Sequence, residues 1–313
     1  MDFRELTYII AVADNRSVTE AANKLYISQP SLSYIISKVE EELGVRLFYR
    51  KTNPLSLTYS GELYVEAARE ILNRMDNLRR ELSDVSHGEK GRINIGIPTE
   101  RAGYMLPKIK DAFSKKYPGI ELKLTETRSR MMLEELDKGM ITIAVLPGTA
   151  KNYPVNMKSE LIYRERILLA AAEGMISDDM IEGTNTDGLP AVNLKKMKTM
   201  PFLVMVKGHF TRTKTDSIFR DAGFIPKNVT EVSSNISAAL LARASIGVAI
   251  IPERVIETIG SDGLRLYAYT RERDAWDVNA VYKNDTYLSN AERYLIDIMK
   301  ETFGKENADE QGK

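Results

Sequence analysis

A run of short polar side chains at residues 28–38 is the part of the chain whose types and spacing best suit chemistry. Ser28 is a typical helix N-cap and Pro30 suits a first helical turn, so this run begins a helix. The free N–H groups of such a turn attract phosphate, and Gln29 could pair bidentately with adenine in a DNA major groove. The pattern therefore indicates recognition of double-stranded DNA.

A basic hairpin extends this surface. Predicted strands at residues 47–49 and 55–58 flank Arg50, Lys51 and Thr52, and no acidic residue occurs between Leu43 and Thr58. Each Ser or Lys taken singly is equally an ordinary surface residue, and Tyr34 could contact DNA or pack against a neighbouring helix. The predicted DNA contacts are Val18, Thr19, Ser28, Gln29, Pro30, Ser31, Ser33, Tyr34, Ser37, Lys38, Arg50, Lys51 and Thr52.

A second set of polar residues lies beyond residue 90, where predicted strands alternate with helices. This alternation indicates parallel sheets covered on both faces. In two-lobed domains of this kind, ligands bind where strands end and helices begin. Those positions hold Thr99, Glu100, Thr127, Ser129, His209, Ser234 and Asn235.

Each of these residues also has a structural alternative. Thr127, Ser129 and Asn235 could simply cap helices, and His209 could be a surface or hinge residue. Glu100 could repel an anionic ligand or hold one that bears an amine. The class of ligand therefore stays open at this point.

The composition excludes several classes of function. The chain has no cysteine and only two histidines, which excludes thiol chemistry and a His-rich metal centre. It has no Gly-rich phosphate loop or nucleophile motif, so we expect no enzyme, no cofactor and no metal. Lys plus Arg and Asp plus Glu both number 44, so DNA contact depends on local clustering of charge. Most of the thirteen methionines should fill gaps in the core rather than sense oxidants.

The helix predicted from residue 59 onwards has an apolar residue every three or four positions. This is the spacing of a coiled coil, so it predicts pairing with a second copy. The alternative is an amphipathic helix packed on its own chain. Gly88 and Gly91 are predicted to form a hinge after this helix. The predicted dimer seam consists of Tyr64, Ala68, Ile71, Met75, Leu78 and Leu82.

Residues 17–61 resemble the LysR-type transcriptional regulators. The segments 17–25 (SVTEAANKL), 28–33 (SQPSLS) and 40–50 (EEELGVRLFYR) match the second helix, the start of the recognition helix and the wing of that family. The resemblance extends to about Phe303. It implies a winged helix-turn-helix, a dimerising linker helix and a domain similar to periplasmic binding proteins. It also implies tetramers built as dimers of dimers, and it places Thr99, Thr127, Phe202 and Ser234 near the effector.

The chain departs from the family in two places. Ile35 stands where the family often has Gln, and Tyr34 stands where it has Arg or another polar residue. The segment 174–200 is longer than the family usually shows. It could lengthen a loop between the lobes or alter tetramer packing.

The predicted fold is α/β with three parts. A winged helix-turn-helix at residues 1–58 precedes a dimerising linker helix at 59–88 and a two-lobed effector-binding domain at 89–303. Lobe I comprises about 92–162 and 268–303, and lobe II comprises about 163–267. Residues 304–313 are predicted to form a flexible tail.

These features predict a transcription regulator controlled by a small molecule bound between the lobes. The expected partners are promoter DNA, an effector, a second copy in a homodimer or homotetramer, and, as a further candidate, RNA polymerase. No signal peptide or membrane span is predicted, so the expected location is the cytoplasm. The rival functions are a small-molecule binding protein without a DNA role and an α/β enzyme. The operator, the regulated genes and the direction of regulation stay open.

Overall fold

The structure is a computed structural model that describes residues 2–49, 52, 54–85, 90–270 and 274–309. The chain divides into two compact units, unit 1 at Met1–Val85 and unit 2 at Ser86–Lys313. Within the described ranges, no helix combines the length and apolar character that a membrane span requires. Unit 1 contains α1 (Phe3–Asn15), α2 (Val18–Leu25), α3 (Gln29–Leu43), β1 (Phe48–Tyr49), β2 (Ser56–Leu57) and α4 (Tyr59–Val85).

Side-chain caps fix where the helices of unit 1 begin. Asp2 and Glu5 form a reciprocal capping box on α1, and the hydroxyls of Ser17 and Ser28 accept backbone N–H groups of α2 and α3. Tyr26 ends α2 in the left-handed conformation at φ 54°. This tight turn orients α3 relative to α2, as in a helix-turn-helix.

The helices of unit 1 enclose one apolar core. Ile9, Val12, Leu32 and Leu47 are almost completely buried in it. Gly61 permits α4 to approach the hairpin, because a Cβ atom there would lie 2.0 Å from the carbonyl oxygen of Leu47. The start of α4 is therefore fixed against the wing by backbone contact.

The first half of the predicted dimer seam on α4 packs within unit 1. Ala68 is 1% exposed and Tyr64 lies against the core of unit 1. By contrast, Ile71, Leu78 and Leu82 are 44%, 41% and 58% exposed. The beginning of the helix thus covers its own chain, whereas its second half presents uncovered apolar side chains. Pairing of that second half with another copy stays a prediction. Of the two predicted hinge glycines, Gly88 lies outside the described residues, and Gly91 instead begins the first strand of unit 2.

Unit 2 is an α/β body built around a long mixed sheet. Its helices are α5 (Thr99–Lys116), α6 (Ser129–Asp137), α7 (Phe210–Asp221), α8 (Asn235–Arg243), α9 (Val255–Ile259) and α10 (Asn290–Asp309). Its strands are β3 (Gly91–Gly96), β4 (Ile120–Thr125), β5 (Ile143–Pro147), β6 (Met157–Ala172), β7 (Ile181–Thr184), β8 (Pro190–Val192), β9 (Pro201–Met205), β10 (Asn228–Val232), β11 (Val248–Pro252), β12 (Leu264–Tyr267) and β13 (Ala275–Lys283). Helix α10 continues to Asp309, whereas the sequence predicts its end near Phe303.

Strand β6 is shared by two lobes. Its first part pairs with β13 and its last part with β11 and β12, all antiparallel. Lobe I adds the parallel strands β3, β4 and β5, and lobe II adds the parallel strands β9, β10 and β11. The parallel character predicted from the sequence holds within each lobe, whereas the strands that join the lobes are antiparallel.

Each lobe has its own apolar core. In lobe I, β3 and β5 pack against α5 and α10 through Ile95, Phe113 and Phe303. In lobe II, the main core contains Ile167 and Phe202. The ring of Trp276 packs against both of these cores. The lobes therefore meet at β6 and β13, with this tryptophan beside the junction.

The long segment 174–200 belongs to lobe II. It forms the antiparallel pair β7–β8 and two short 3-10 turns. Val192, Leu194 and Met197 of this segment are buried in the core that also holds Phe202. The segment is therefore a packed extension of lobe II, rather than an open loop between the lobes.

Candidate nucleic-acid interface and ligand cleft

The outer face of α3 is polar and exposed. The hydroxyl of Ser28 lies 2.7 Å from that of Ser31, and the Gln29 side-chain amide donates to Ser33 at 2.9 Å. Tyr34 is 70% exposed, so it does not pack against a neighbouring helix. The predicted residues that share this exposed or half-exposed face are Ser28, Gln29, Pro30, Ser31, Ser33, Tyr34 and Ser37.

Two predicted DNA contacts near this face have structural roles within unit 1. Val18 packs partly against the core, because it lies on the inner side of α2 next to Ala21 and Ala22. The Lys38 ammonium donates to the Glu5 carboxylate at 2.8 Å. This hydrogen bond lowers the pKa of Glu5 and raises the pKa of Lys38. Thr19, in contrast, is exposed at the start of α2.

The hairpin is held by a buried carboxylate that the sequence analysis missed. Glu40 is 6% exposed and accepts the backbone N–H groups of Leu47 at 2.8 Å and Phe48 at 3.2 Å. Its other oxygen accepts from Arg46 at 2.6 Å. Because a buried acid needs such partners, Glu40 fixes the entry into β1. No local pattern marks this residue, since it is the first of three consecutive glutamates.

Of the three predicted wing contacts, only Thr52 lies among the described residues. Its hydroxyl donates to the Tyr49 carbonyl at 3.2 Å and accepts the Ser56 N–H at 3.1 Å. Thr52 therefore closes the wing turn. The basic residues Arg50 and Lys51 lie outside the described residues.

Unit 2 contains a cleft of about 480 Å³ between its lobes. The beginnings of α5 and α6 on lobe I face those of α7 and α8 on lobe II. The structure brings together seven of the eight predicted ligand contacts, which are Thr99, Glu100, Thr127, Ser129, His209, Ser234 and Asn235.

Phe202 was the eighth predicted contact, and it lies elsewhere. It is 1% exposed, and its ring packs against those of Phe219 and Phe224 at centroid distances of 5.2 and 5.5 Å. Because β9 begins inside the lobe II core, this aromatic side chain belongs to the packing of lobe II. The prediction for Phe202 is therefore corrected.

The helix beginnings around the cleft differ in how they are capped. On lobe II, His209 Nδ1 accepts an N–H of α7 and Ser234 Oγ accepts an N–H of α8, both at 3.3 Å. On lobe I, α5 and α6 follow Pro98 and Arg128, and neither helix receives a side-chain cap. Thr127 instead donates to the Met131 sulfur at 3.4 Å. Capping thus explains His209 and Ser234, but not Thr127.

Glu100 joins the two lobes directly. One of its carboxylate oxygens accepts the Asn235 backbone N–H at 2.5 Å, and the other accepts the Asn235 side-chain amide at 2.7 Å. A negative charge at the start of α8 is favourable, because helix beginnings carry partial positive charge. Glu100 therefore places an anion of the chain itself at the lobe II side of the cleft.

A buried charge network lies in the wall of the cleft and was also missed. The Arg101 guanidinium donates to Glu165 at 2.7 Å, and Trp276 Nε1 donates to the same carboxylate oxygen at 2.9 Å. Arg101 is 7% exposed and Glu165 is 1% exposed. Their separation along the chain left no local signal of the pairing, although Arg101 directly follows the predicted contact Glu100.

His209 should make the stability of unit 2 sensitive to mild acid. Burial, Arg128 and Arg101 lower its pKa below the ordinary value of 6.5, against the effect of Glu100. Since Nδ1 accepts an N–H, the proton of the neutral ring is on Nε2. The stabilisation by this group is complete above the ordinary pKa and is lost as the pH falls below it, by at most about 1.4 kcal/mol per pH unit.

We expect His209→Asn to keep the cap and to flatten this dependence, because asparagine caps well and does not titrate. The measurement is the thermal midpoint of unfolding at a series of pH values on either side of 6.5. His87→Asn, at the only other histidine, is the matched control and should retain the slope of the parent. An unchanged slope in His209→Asn would contradict the assignment.

Comparison with known families covers both units. The model described as "Bacterial regulatory helix-turn-helix protein, lysR family" matches residues 3–62. The model described as "LysR substrate binding domain" matches residues 86–304. A Bacillus subtilis relative, described as the uncharacterized HTH-type transcriptional regulator YcgK, is 27% identical over 99% of this chain and 97% of its own. The regulator BenM of Acinetobacter baylyi is 29% identical over 80% of each chain.

Solved structures share the fold at low sequence identity. A full-length OxyR variant from Pseudomonas aeruginosa superimposes with a TM-score of 0.69 at 17% identity, and the match covers 96% of this chain and 94% of that one. Full-length CbnR in complex with its target DNA matches with a TM-score of 0.59 at 20% identity, over 96% of this chain and 99% of that one.

Proposed function

Because this chain belongs to the LysR family of bacterial transcription regulators, we propose that unit 1 reads promoter DNA through α3 and that a small molecule in the cleft of unit 2 controls that binding. The observation that carries the proposal is the exposed polar face of α3, which begins at a capped helix start. Family membership makes regulation, rather than catalysis, the expected activity. DNA binding would place that activity in the cytoplasm.

The chemistry of α3 supports reading by hydrogen bonds more than by charge. Its exposed serines and Gln29 can reach base edges or phosphates, whereas its one basic side chain, Lys38, is already paired with Glu5. Phosphate attraction would then come from the start of α3 and from the wing residues Arg50 and Lys51. We propose that the helix supplies specificity and the wing supplies much of the salt-dependent affinity.

The second half of α4 supports self-association. Ile71, Leu78 and Leu82 recur at coiled-coil spacing and are exposed in the single chain. A second α4 would cover them. We propose a homodimer through this face. A tetramer, as the family resemblance implies, is the further possibility.

The test of DNA reading is a negative charge introduced on the helix face. We expect Ser37→Glu to weaken binding to the DNA just upstream of the coding region by about tenfold or more, because a carboxylate would face the phosphates. Binding of the full chain is measured across a salt series, with random DNA as competitor. Ser114→Glu, at an exposed serine of α5 in unit 2, is the matched control.

The salt series also tests the wing. Arg50→Ala should reduce the steepness of the salt dependence, because one phosphate contact is lost. The proposal fails if the parent chain binds the upstream DNA no more tightly than random DNA. It also fails if Ser37→Glu and Ser114→Glu bind the upstream DNA equally well.

A further inference from the structure

The lobe II side of the cleft holds several hydrogen-bond acceptors with unused capacity. Each carboxylate oxygen of Glu100 accepts one N–H from Asn235 and can accept one more. Asn235 Oδ1 and Thr211 Oγ1 have no hydrogen-bond partner among the described residues. Both residues line the same cleft, and they are 3% and 1% exposed. The oxygens of Glu100, Asn235 and Thr211 can therefore accept further hydrogen bonds from a ligand.

An ammonium group meets this need better than any other common ligand group. It carries three N–H donors and no acceptor, so it can serve a carboxylate, an amide oxygen and a hydroxyl together. A carboxylate or phosphate would bring only acceptors. It would also face the negative charge of Glu100, which already occupies the start of α8. The lobe II side thus favours a cation and disfavours an anion.

The lobe I side has the opposite character. Arg128 lines the cleft, is exposed, and forms no ion pair with any described residue. The charge of Arg101, in contrast, is balanced by Glu165. An anionic group of the same ligand would neutralise Arg128. The two sides of the cleft therefore differ in the charge that they would bind.

The size of the cleft limits the ligand to a small molecule. A volume of about 480 Å³ lies in the lower part of the range for small-molecule pockets. Apolar side chains of Met131, Ile236 and Val255 also line the walls. They can cover a short hydrocarbon part between two charged ends.

We propose that the effector is a small zwitterion, such as an amino acid, whose ammonium group binds Glu100, Asn235 and Thr211 while its anionic group faces Arg128. This inference rests on the proposed role of the cleft as the effector site. It resolves the two roles that the sequence left open for Glu100 in favour of holding an amine.

The test uses the full chain and defined probes. These are the common amino acids, ω-amino acids of increasing length from β-alanine to ε-aminocaproate, and two single-charge controls, butylamine and butyrate. Binding is followed by the thermal midpoint and by fluorescence of Trp276, the only tryptophan, which lines the cleft. We expect at least one zwitterion to bind more tightly than butylamine, and butyrate to bind most weakly.

Variants assign the ammonium group to its site. Glu100→Gln should lower the affinity for the tightest-binding zwitterion by about tenfold or more, because a charged partner is lost. Thr211→Val should lower the same affinity to a smaller extent. Glu126→Gln is the matched control and should bind as the parent does, because this exposed acid follows the adjacent strand β4 and does not line the cleft. Thermal midpoints without ligand confirm that each variant folds.

Three outcomes would overturn the inference. They are tighter binding of butyrate than of every zwitterion, an unchanged affinity in Glu100→Gln, and no response to any zwitterion. Tight butyrate binding that changes Trp276 fluorescence would keep the cleft as an effector site while rejecting the zwitterion. Failure of the proposed regulator function itself would instead appear in the DNA-binding assay with Ser37→Glu, which needs no effector.

Discussion

Glu40→Ala should destabilise unit 1 by about 2–6 kcal/mol and abolish specific DNA binding. The substitution leaves the N–H groups of Leu47 and Phe48 without their acceptor in a buried place. It also releases Arg46. A domain of this size has a total stability of only about 4–13 kcal/mol, so the loss is a large fraction of it. The entry into the wing would open before the rest of the helix-turn-helix.

Two probes separate this effect from a general loss of stability. Urea unfolding followed by circular dichroism reports the helices of both units, whereas Trp276 fluorescence reports unit 2 alone, so a circular dichroism change without a fluorescence change belongs to unit 1. Glu40→Ala should shift the circular dichroism transition and leave the fluorescence transition in place. Glu41→Ala, at the exposed neighbour on the same helix, should shift neither. A circular dichroism transition of Glu40→Ala at the same urea concentration as in the parent would contradict the structural role of Glu40.

Arg101→Met should destabilise unit 2 by about 3–5 kcal/mol, because it leaves the Glu165 carboxylate buried without its counter-charge. Trp276 would remain as a partner of Glu165, but a single indole N–H does not offset a buried charge. In Arg101→Met, the fluorescence transition should move to a lower urea concentration. The transition of unit 1 should not.

The double variant Arg101→Met with Glu165→Gln tests the cause. Removing both charges should recover most of the lost stability, since an uncharged pair of similar volume leaves no uncompensated ion. The Gln side chain can still accept from Trp276. Additive destabilisation in the double variant would mean that the two residues act independently, contrary to the ion pair.

The local features of the fold are those that sequence predicts well. The caps at Ser17 and Ser28, the polar face of α3 and the helix beginnings at the cleft all depend on residues close in the chain. The apolar run at residues 167–171 is typical of a buried strand and forms the second part of β6. Its first part was not predicted, because charged residues interrupt the apolar pattern there.

The missed features depend on distant partners. Lys38 pairs with Glu5 of α1, and Glu100 contacts Asn235 across the cleft. Phe202 is buried because Phe219 and Phe224 reach it from α7 and the following turn. Composition and spacing do not specify such pairings, so the side chains at the site could be predicted better than their partners.

The sharing of β6 between the lobes has a consequence for how such proteins can be recombined. Lobe II is one contiguous stretch from Ile167 to Tyr267, whereas lobe I is completed by β13 and α10 near the end of the chain. A single genetic crossover within lobe II therefore joins the first part of one parent's lobe I to the last part of the other's. Two crossovers, one in β6 and one before β13, exchange lobe II intact. Chimeras with new ligand preferences should arise by the second route.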